Sequence, residues 1–206
     1  YDEIRQGVRA LCADFDSSYW QTLDEQRAYP EAFVDALTRA GWLAALIPEQ
    51  YGGSGLGITE ASIILEEVNR SGANSGACHA QMYVMGTVLR HGSAEQKLRY
   101  LPRIAKGELR LQSFAVTEPT TGSDTTKLKT TAVKKGDRYI VNGQKVWTSR
   151  VQHSDLMLLL ARTTSAEEMP SSTPATPTPS RIKLIARDGA GGTGTEGCAV
   201  TAGSGA

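Results

Sequence analysis

Phe114-Ala-Val-Thr-Glu-Pro-Thr-Thr-Gly-Ser-Asp124 is the stretch that decides how this 206-residue chain is read. An apolar strand-like run enters directly into a turn rich in hydroxyls and containing Gly122. Such a turn can aim several backbone N–H groups and small hydroxyl donors at one ligand, which suits the carbonyl edge of an electron-poor ring or a phosphate. Taken alone, the same residues also fit an ordinary strand end closed by Ser/Thr-type turns. What lies on either side therefore carries the weight.

Upstream, to about residue 110, the signal is helical. Phe33, Ala36, Leu37 and Ala40 recur at i, i+3, i+4 and i+7, with Pro30 near the first turn and Gly41 just past the end. Ala61, Ile64, Leu65 and Val68 repeat the pattern, and Glu60, Glu66, Glu67 and Asn69 are read as mostly the polar side. Ser93 and Gln96 have the spacing of a capping box, followed by a stripe of Leu98, Leu101 and Ala105. Pro102 is expected to bend or shorten that helix and Gly107 to stop it.

Downstream the texture changes to short β-type runs. Residues 130–134 and 138–141 flank Gly136-Asp137, and Asn142-Gly143 supplies a second turn before residues 145–149, which predicts an antiparallel meander. Residues 156–161 form an unbroken apolar run, expected as a strand buried on both faces. Beyond residue 164 come Pro170, Pro174, Pro177 and Pro179 in a Ser/Thr-rich stretch, a short apolar patch at 182–185, and a Gly-rich end without an aromatic residue. Such a composition buries too little apolar surface to offset its ordering entropy and is expected to be mostly disordered.

Lys+Arg and Asp+Glu both number 22, so no net charge draws the chain to nucleic acid or anionic lipid. The 3 cysteines are widely spaced, without metal-type pairing, which fits a reducing intracellular compartment. No apolar run reaches the ~18 to 20 residues of a membrane span. His79, His91 and His153 lack metal-ligand spacing, and Cys78 beside His79 reads as a helix-interior residue. The glycines at 52, 53, 55 and 57 lack the Lys-Ser/Thr ending of a phosphate loop and read as a helix-connecting turn.

A second segment, Asn142-Gly-Gln-Lys-Val-Trp-Thr-Ser149, offers the flat face of Trp147 beside two hydroxyls, although a core tryptophan of a β domain reads equally well. The two segments in this order behind a helical half, together with Tyr51-Gly-Gly-Ser-Gly55, Glu66-Glu67 and Leu101-Pro-Arg-Ile-Ala-Lys-Gly-Glu108, resemble the acyl-CoA dehydrogenase family over residues 1–162.

The resemblance implies a multidomain α+β chain. An all-α helical N-terminal domain (1–110) precedes a partial antiparallel β-barrel or sandwich domain (111–163), and the remaining residues (164–206) form a low-complexity, disordered tail. It implies FAD against the β domain, lined by Phe114, Ala115, Val116 and Thr117 on one side and by Trp147, Thr148 and Ser149 on the other. Gly122 and Ser123 are implied to reach the cofactor, and Ser123 also the CoA part of an acyl-CoA substrate. Many members have Trp-Ile-Thr where this chain has Trp-Thr-Ser, which leaves open which hydroxyl faces flavin N5, and Thr120-Thr121 adds bulk where Gly-Ala is common.

The family reaction is α,β-dehydrogenation of an acyl-CoA thioester, with a carboxylate taking the α-proton and the β-hydrogen passing as hydride to flavin N5. That base normally comes from a C-terminal helical domain that these residues do not contain, so no catalytic residue is assigned, little turnover is expected from this chain alone, and Glu118 reads as a structural carboxylate. An electron acceptor of the flavoprotein type, assembly into dimers or tetramers, and a cytoplasmic or mitochondrial-matrix location accompany the resemblance. The alternatives are a non-catalytic helical interaction module, or a related flavoenzyme of the superfamily acting on another substrate.

Overall fold

The computed structural model describes residues 1–136, 138–163 and 182–186. They form two compact units. One is built from Tyr1–Gln112 with Gln152–Ser154, and the other from Ser113–Val151 and the described residues from Asp155 onward.

The first unit is helical: α1 Asp2–Cys12, α2 Ser17–Gln26, α3 Glu31–Arg39, α4 Ile58–Arg70, α5 Gly76–His91 and α6 Ala94–Ala105. Phe33, Val34 and Leu37 are the buried face of α3, while Ala40 falls outside the helix and caps its end. These residues join Val8, Ile64, Val68 and Cys78 in one core. Phe33 lies edge-on to Phe15 at 5.1 Å and to Trp20 at 4.9 Å between ring centroids, geometry that the aromatic quadrupole favours. The capping box at Ser93 and Gln96 is formed on both sides. Pro102 does not end α6, which continues to Ala105, and Gly107 follows with φ +74°. Leu98 is 65% exposed, so the buried stripe of α6 is Leu101 and Ile104 instead.

Glu67 departs from its expected polar face: it is 0% exposed. The burial is tolerated because two guanidinium groups of α1 reach it, Arg5 Nη1 at 2.5 Å from Oε1 and Arg9 Nε at 2.5 Å from Oε2. The Arg9 and Arg5 hydrogen bonds hold its carboxyl down at about 2, against a desolvation that pushes it up. Cys78 is also fully buried, and desolvation pushes its thiol up to about 12, which leaves it inert as a nucleophile.

The glycine-rich turn after Tyr51 is structural. The N–H groups of Gly53, Ser54, Gly55 and Leu56 all donate to carbonyls of residues 44–48, so they are engaged within the chain. A Cβ on Gly53 would stand 2.6 Å from the Ala44 carbonyl oxygen, which is why this close approach takes glycine.

The second unit holds β1 Ser113–Ala115, β2 Thr131–Lys135, β3 Arg138–Asn142, β4 Leu156–Leu160 and β5 Ile182–Ala186. β2 and β3 form the expected antiparallel hairpin, with Val133 opposite Ile140. The meander stops there. Residues 145–149 are not a strand, because Trp147 and Arg150 take φ values of 60° and 59°, left-handed conformations that a pleated strand cannot accommodate. A three-stranded sheet runs in the order β1-β4-β5 instead, with β1 parallel to β4 and β5 antiparallel to it. The purely antiparallel expectation is thus corrected, and β4 gains the central position that its apolar run suits, with Leu156, Leu158 and Leu159 buried. Residues 182–186, assigned to the tail by composition, pair with β4, while the rest of the expected tail lies outside the described residues.

Candidate functional site

β1 delivers Phe114 and Ala115 by simple alternation: Ala115 is 1% exposed and packs with Ala132, Leu159 and Ala161, while Phe114 is 39% exposed. Past β1 the chain turns. Glu118 and Thr121 exchange backbone hydrogen bonds of 2.8 and 3.1 Å, which closes the turn and leaves Gly122 and Ser123 exposed beyond it. A Cβ at Gly122 would meet nothing within 4 Å. Of the two bulky threonines, Thr120 is exposed, whereas Thr121 is 7% exposed and donates its hydroxyl to the Lys127 carbonyl, a structural role.

The second segment is brought to the first by one backbone hydrogen bond, from the Val146 N–H to the Thr117 carbonyl at 3.0 Å. Trp147 follows immediately and is 87% exposed, so it is not the core residue that its composition alone allowed. A bulky residue held in a left-handed conformation with its ring in solvent is unfavourable on two counts, and strain of this kind gathers at ligand sites. Thr148 is half-buried and Ser149 exposed. Phe114, Val116, Thr117, Trp147 and Thr148 therefore belong to two adjoining segments of one unit, while Gly122 and Ser123 follow the closed turn in sequence and are exposed.

Beneath these segments sits a buried ion pair. Glu118 accepts from the Lys129 N–H at 2.7 Å, the Thr130 N–H at 2.9 Å and the Lys145 ammonium at 2.9 Å. Its side chain is 3% exposed and that of Lys145 9%. Burial pushes the Glu118 carboxyl up, but hydrogen bonding from Thr130 and Lys129 and from Lys145 outweighs it and holds the group down at about 2. Glu118 is thus a satisfied structural carboxylate, as its place in the turn suggested, and not a poised base. Lys145 escaped the sequence reading. The available signal was a lone cation within residues 142–149, a segment otherwise without charge.

A pH dependence follows from these carboxylates. A group held below its unfolded value of 4.5 stabilises the fold fully above that pH and loses the contribution as pH falls toward about 2. For Glu118 the shift corresponds to at most about 3 kcal/mol. Glu67 titrates in the same direction over the same window. Chemical denaturation at pH 7, 6 and 3 is expected to give equal stability at the first two and a clear fall at the third. Equal stability at all three would contradict the pairing.

Among the described residues no group of His, Cys, Asp and Glu is placed to hold a metal, and no helix is long and apolar enough to cross a membrane.

Helical unit, exposed tryptophan and hydroxyl-rich turn together define a class. The family model of the acyl-CoA dehydrogenase N-terminal domain matches residues 1–108, and that of the middle domain residues 113–192. The chain belongs to the acyl-CoA dehydrogenase family. The middle-domain match passes residue 162, where the resemblance had been expected to end, and takes in β5. Cyclohex-1-ene-1-carbonyl-CoA dehydrogenase of Syntrophus aciditrophicus is 37% identical over 142 residues, covering 68% of this chain and 34% of that protein. Mitochondrial isovaleryl-CoA dehydrogenase of Bos taurus is 34% identical over 166 residues, covering 78% and 38%. A crystal structure of an acyl-CoA dehydrogenase from Geobacillus kaustophilus superposes with a TM-score of 0.76 at 28% identity, over 91% of this chain and 48% of that one. The chain spans less than half the length of these proteins.

Proposed function

We propose that this chain supplies the flavin-facing surface of an FAD-dependent dehydrogenase that introduces an α,β double bond into an acyl-CoA thioester. The observation that carries the reading is Trp147, a strained and 87% exposed indole joined by the Val146 to Thr117 hydrogen bond to a strand end rich in small donors. These residues fit an isoalloxazine ring: the indole offers a flat apolar face, and the Thr117 and Thr148 hydroxyls and nearby peptide groups offer edge contacts. Bound FAD would supply a two-electron acceptor. The chain's own residues orient that ring and cover one side of it from water.

CoA thioesters as substrates are supported by the names of the two curated relatives, both CoA-ester dehydrogenases. Exposed Ser123 is assigned to the CoA moiety. The proton-abstracting role is not assigned to Glu118, the carboxylate within the motif, because three donors fully engage it. Transfer of the electrons to a flavoprotein acceptor, and an intracellular location, complete the proposal.

Titration of FAD into the purified protein, followed by flavin fluorescence and visible absorbance, tests the reading. Saturable binding with a perturbed flavin spectrum is expected. Trp147→Ala is expected to weaken binding about tenfold through lost stacking and apolar contact, with an unchanged melting temperature because the ring is outside the core. A colourless protein that takes up no FAD would overturn the proposal and favour a non-catalytic helical module.

A further inference from the structure

We infer that Lys145 is a positioning residue of the cofactor site, acting through the peptide group between Val116 and Thr117. The inference rests on the flavin-facing reading above. Lys145 Nζ lies 2.9 Å from the Val116 carbonyl oxygen and 2.9 Å from Glu118 Oε1, so one ammonium ties the strand end to the carboxylate beneath it. Lys145 is also the residue next to Val146, whose N–H donates to the Thr117 carbonyl. The side chain and the backbone of residues 145–146 thus grip two successive carbonyls of the first segment.

Peptide geometry gives the consequence. In a planar trans peptide the carbonyl and the N–H point in opposite directions. With the Val116 carbonyl drawn toward Lys145, the N–H of Thr117 is turned away from it. That N–H makes no hydrogen bond among the described residues. It is left as a fixed donor for a ligand acceptor, of the kind an isoalloxazine ring carries along its edge. A neutral side chain at 145 could not hold the carbonyl with comparable strength, because a charged donor in a poorly hydrated place makes a stronger hydrogen bond than a neutral one. Glu118 completes the device by neutralising the ammonium, whose side chain is only 9% exposed.

Lys145→Met, the double variant Lys145→Met/Glu118→Gln and Lys145→Arg test this. The double variant removes both buried charges, so it remains informative where the single one fails to fold. Two readouts are used: FAD affinity by fluorescence titration, and amide hydrogen exchange at Val146 in FAD-free protein. The neutral variants are expected to bind FAD about tenfold more weakly and to exchange the Val146 amide at least tenfold faster, at a melting temperature within a few degrees of the parent for the double variant. Lys145→Arg is expected to restore part of both. FAD affinity within twofold of the parent, or unchanged Val146 exchange, in the double variant overturns the inference. If the parent protein binds no FAD, the proposed function falls, and Val146 exchange still decides whether Lys145 holds the two segments together.

Discussion

Phe33→Ala is expected to lower the stability of the helical unit by about 3 to 5 kcal/mol, the range for removing a buried phenylalanine. Phe33 is 1% exposed, and its ring is the meeting point of Phe15 and Trp20. Its removal leaves Phe15 and Trp20 with Tyr19 as their remaining edge-to-face partner and opens a void that a densely packed interior closes only in part. The measurement is urea denaturation followed by far-UV circular dichroism, with Leu98→Ala as comparison. Leu98 is on the same unit but 65% exposed, so its truncation is expected to stay within about 0.5 kcal/mol. A loss below about 1 kcal/mol for Phe33→Ala would show that the aromatic cluster is not the structural centre of the unit.

Glu118→Ala is expected to cost the β unit about 3 to 5 kcal/mol, more than its own lost contacts would suggest. Three donors converge on that carboxylate, and the variant leaves the Lys145 ammonium without its counter-ion and the N–H groups of Lys129 and Thr130 without an acceptor. Most of the loss comes from the buried ammonium left unpaired. Adding Lys145→Met to Glu118→Ala is therefore expected to recover part of the loss, a sign opposite to simple addition of two destabilising changes. Thermal unfolding of the two single variants and the double variant checks this. Additive losses would mean that the pair is not coupled.

Much of the helical unit was legible because its signals are local. The capping box at Ser93 and the α3 face depend on spacing within a turn or two of helix; the box forms where the spacing put it, and Phe33 and Leu37 of the α3 stripe are buried, with Val34 beside them and Ala40 past the helix end. Glu67 was misread because amphipathic periodicity treats a carboxylate as a solvent-facing residue. The partners that make its burial tolerable, Arg5 and Arg9, are 62 and 58 residues away. Non-local pairing also explains the β unit. The run at 156–160 could be read as a strand from its own composition, but its parallel partner β1 lies beyond the hairpin, and nothing in a short window encodes that choice.

At the candidate site the order was the reverse. Resemblance pointed to the residues, while local chemistry alone left Trp147 as plausible in a core as on a surface. Its 87% exposure and left-handed backbone are tertiary facts. Lys145 was passed over because a lysine normally signals solvent, and the folded contact with Glu118 and Val116 shows it turned inward.

The short return of Gln152–Ser154 to the helical unit bears on how the protein is made. Ser154 Oγ accepts from the Gln112 N–H at 3.3 Å, and His153 stacks on Tyr29 with ring centroids 4.3 Å apart. A ribosome that has released residues 1–112 has therefore not yet released everything the helical unit contains. Completion of that unit waits for residue 154, by which point both strands of the β hairpin and the Trp147 segment have already been synthesised, while the central strand β4 of the second unit is still to come.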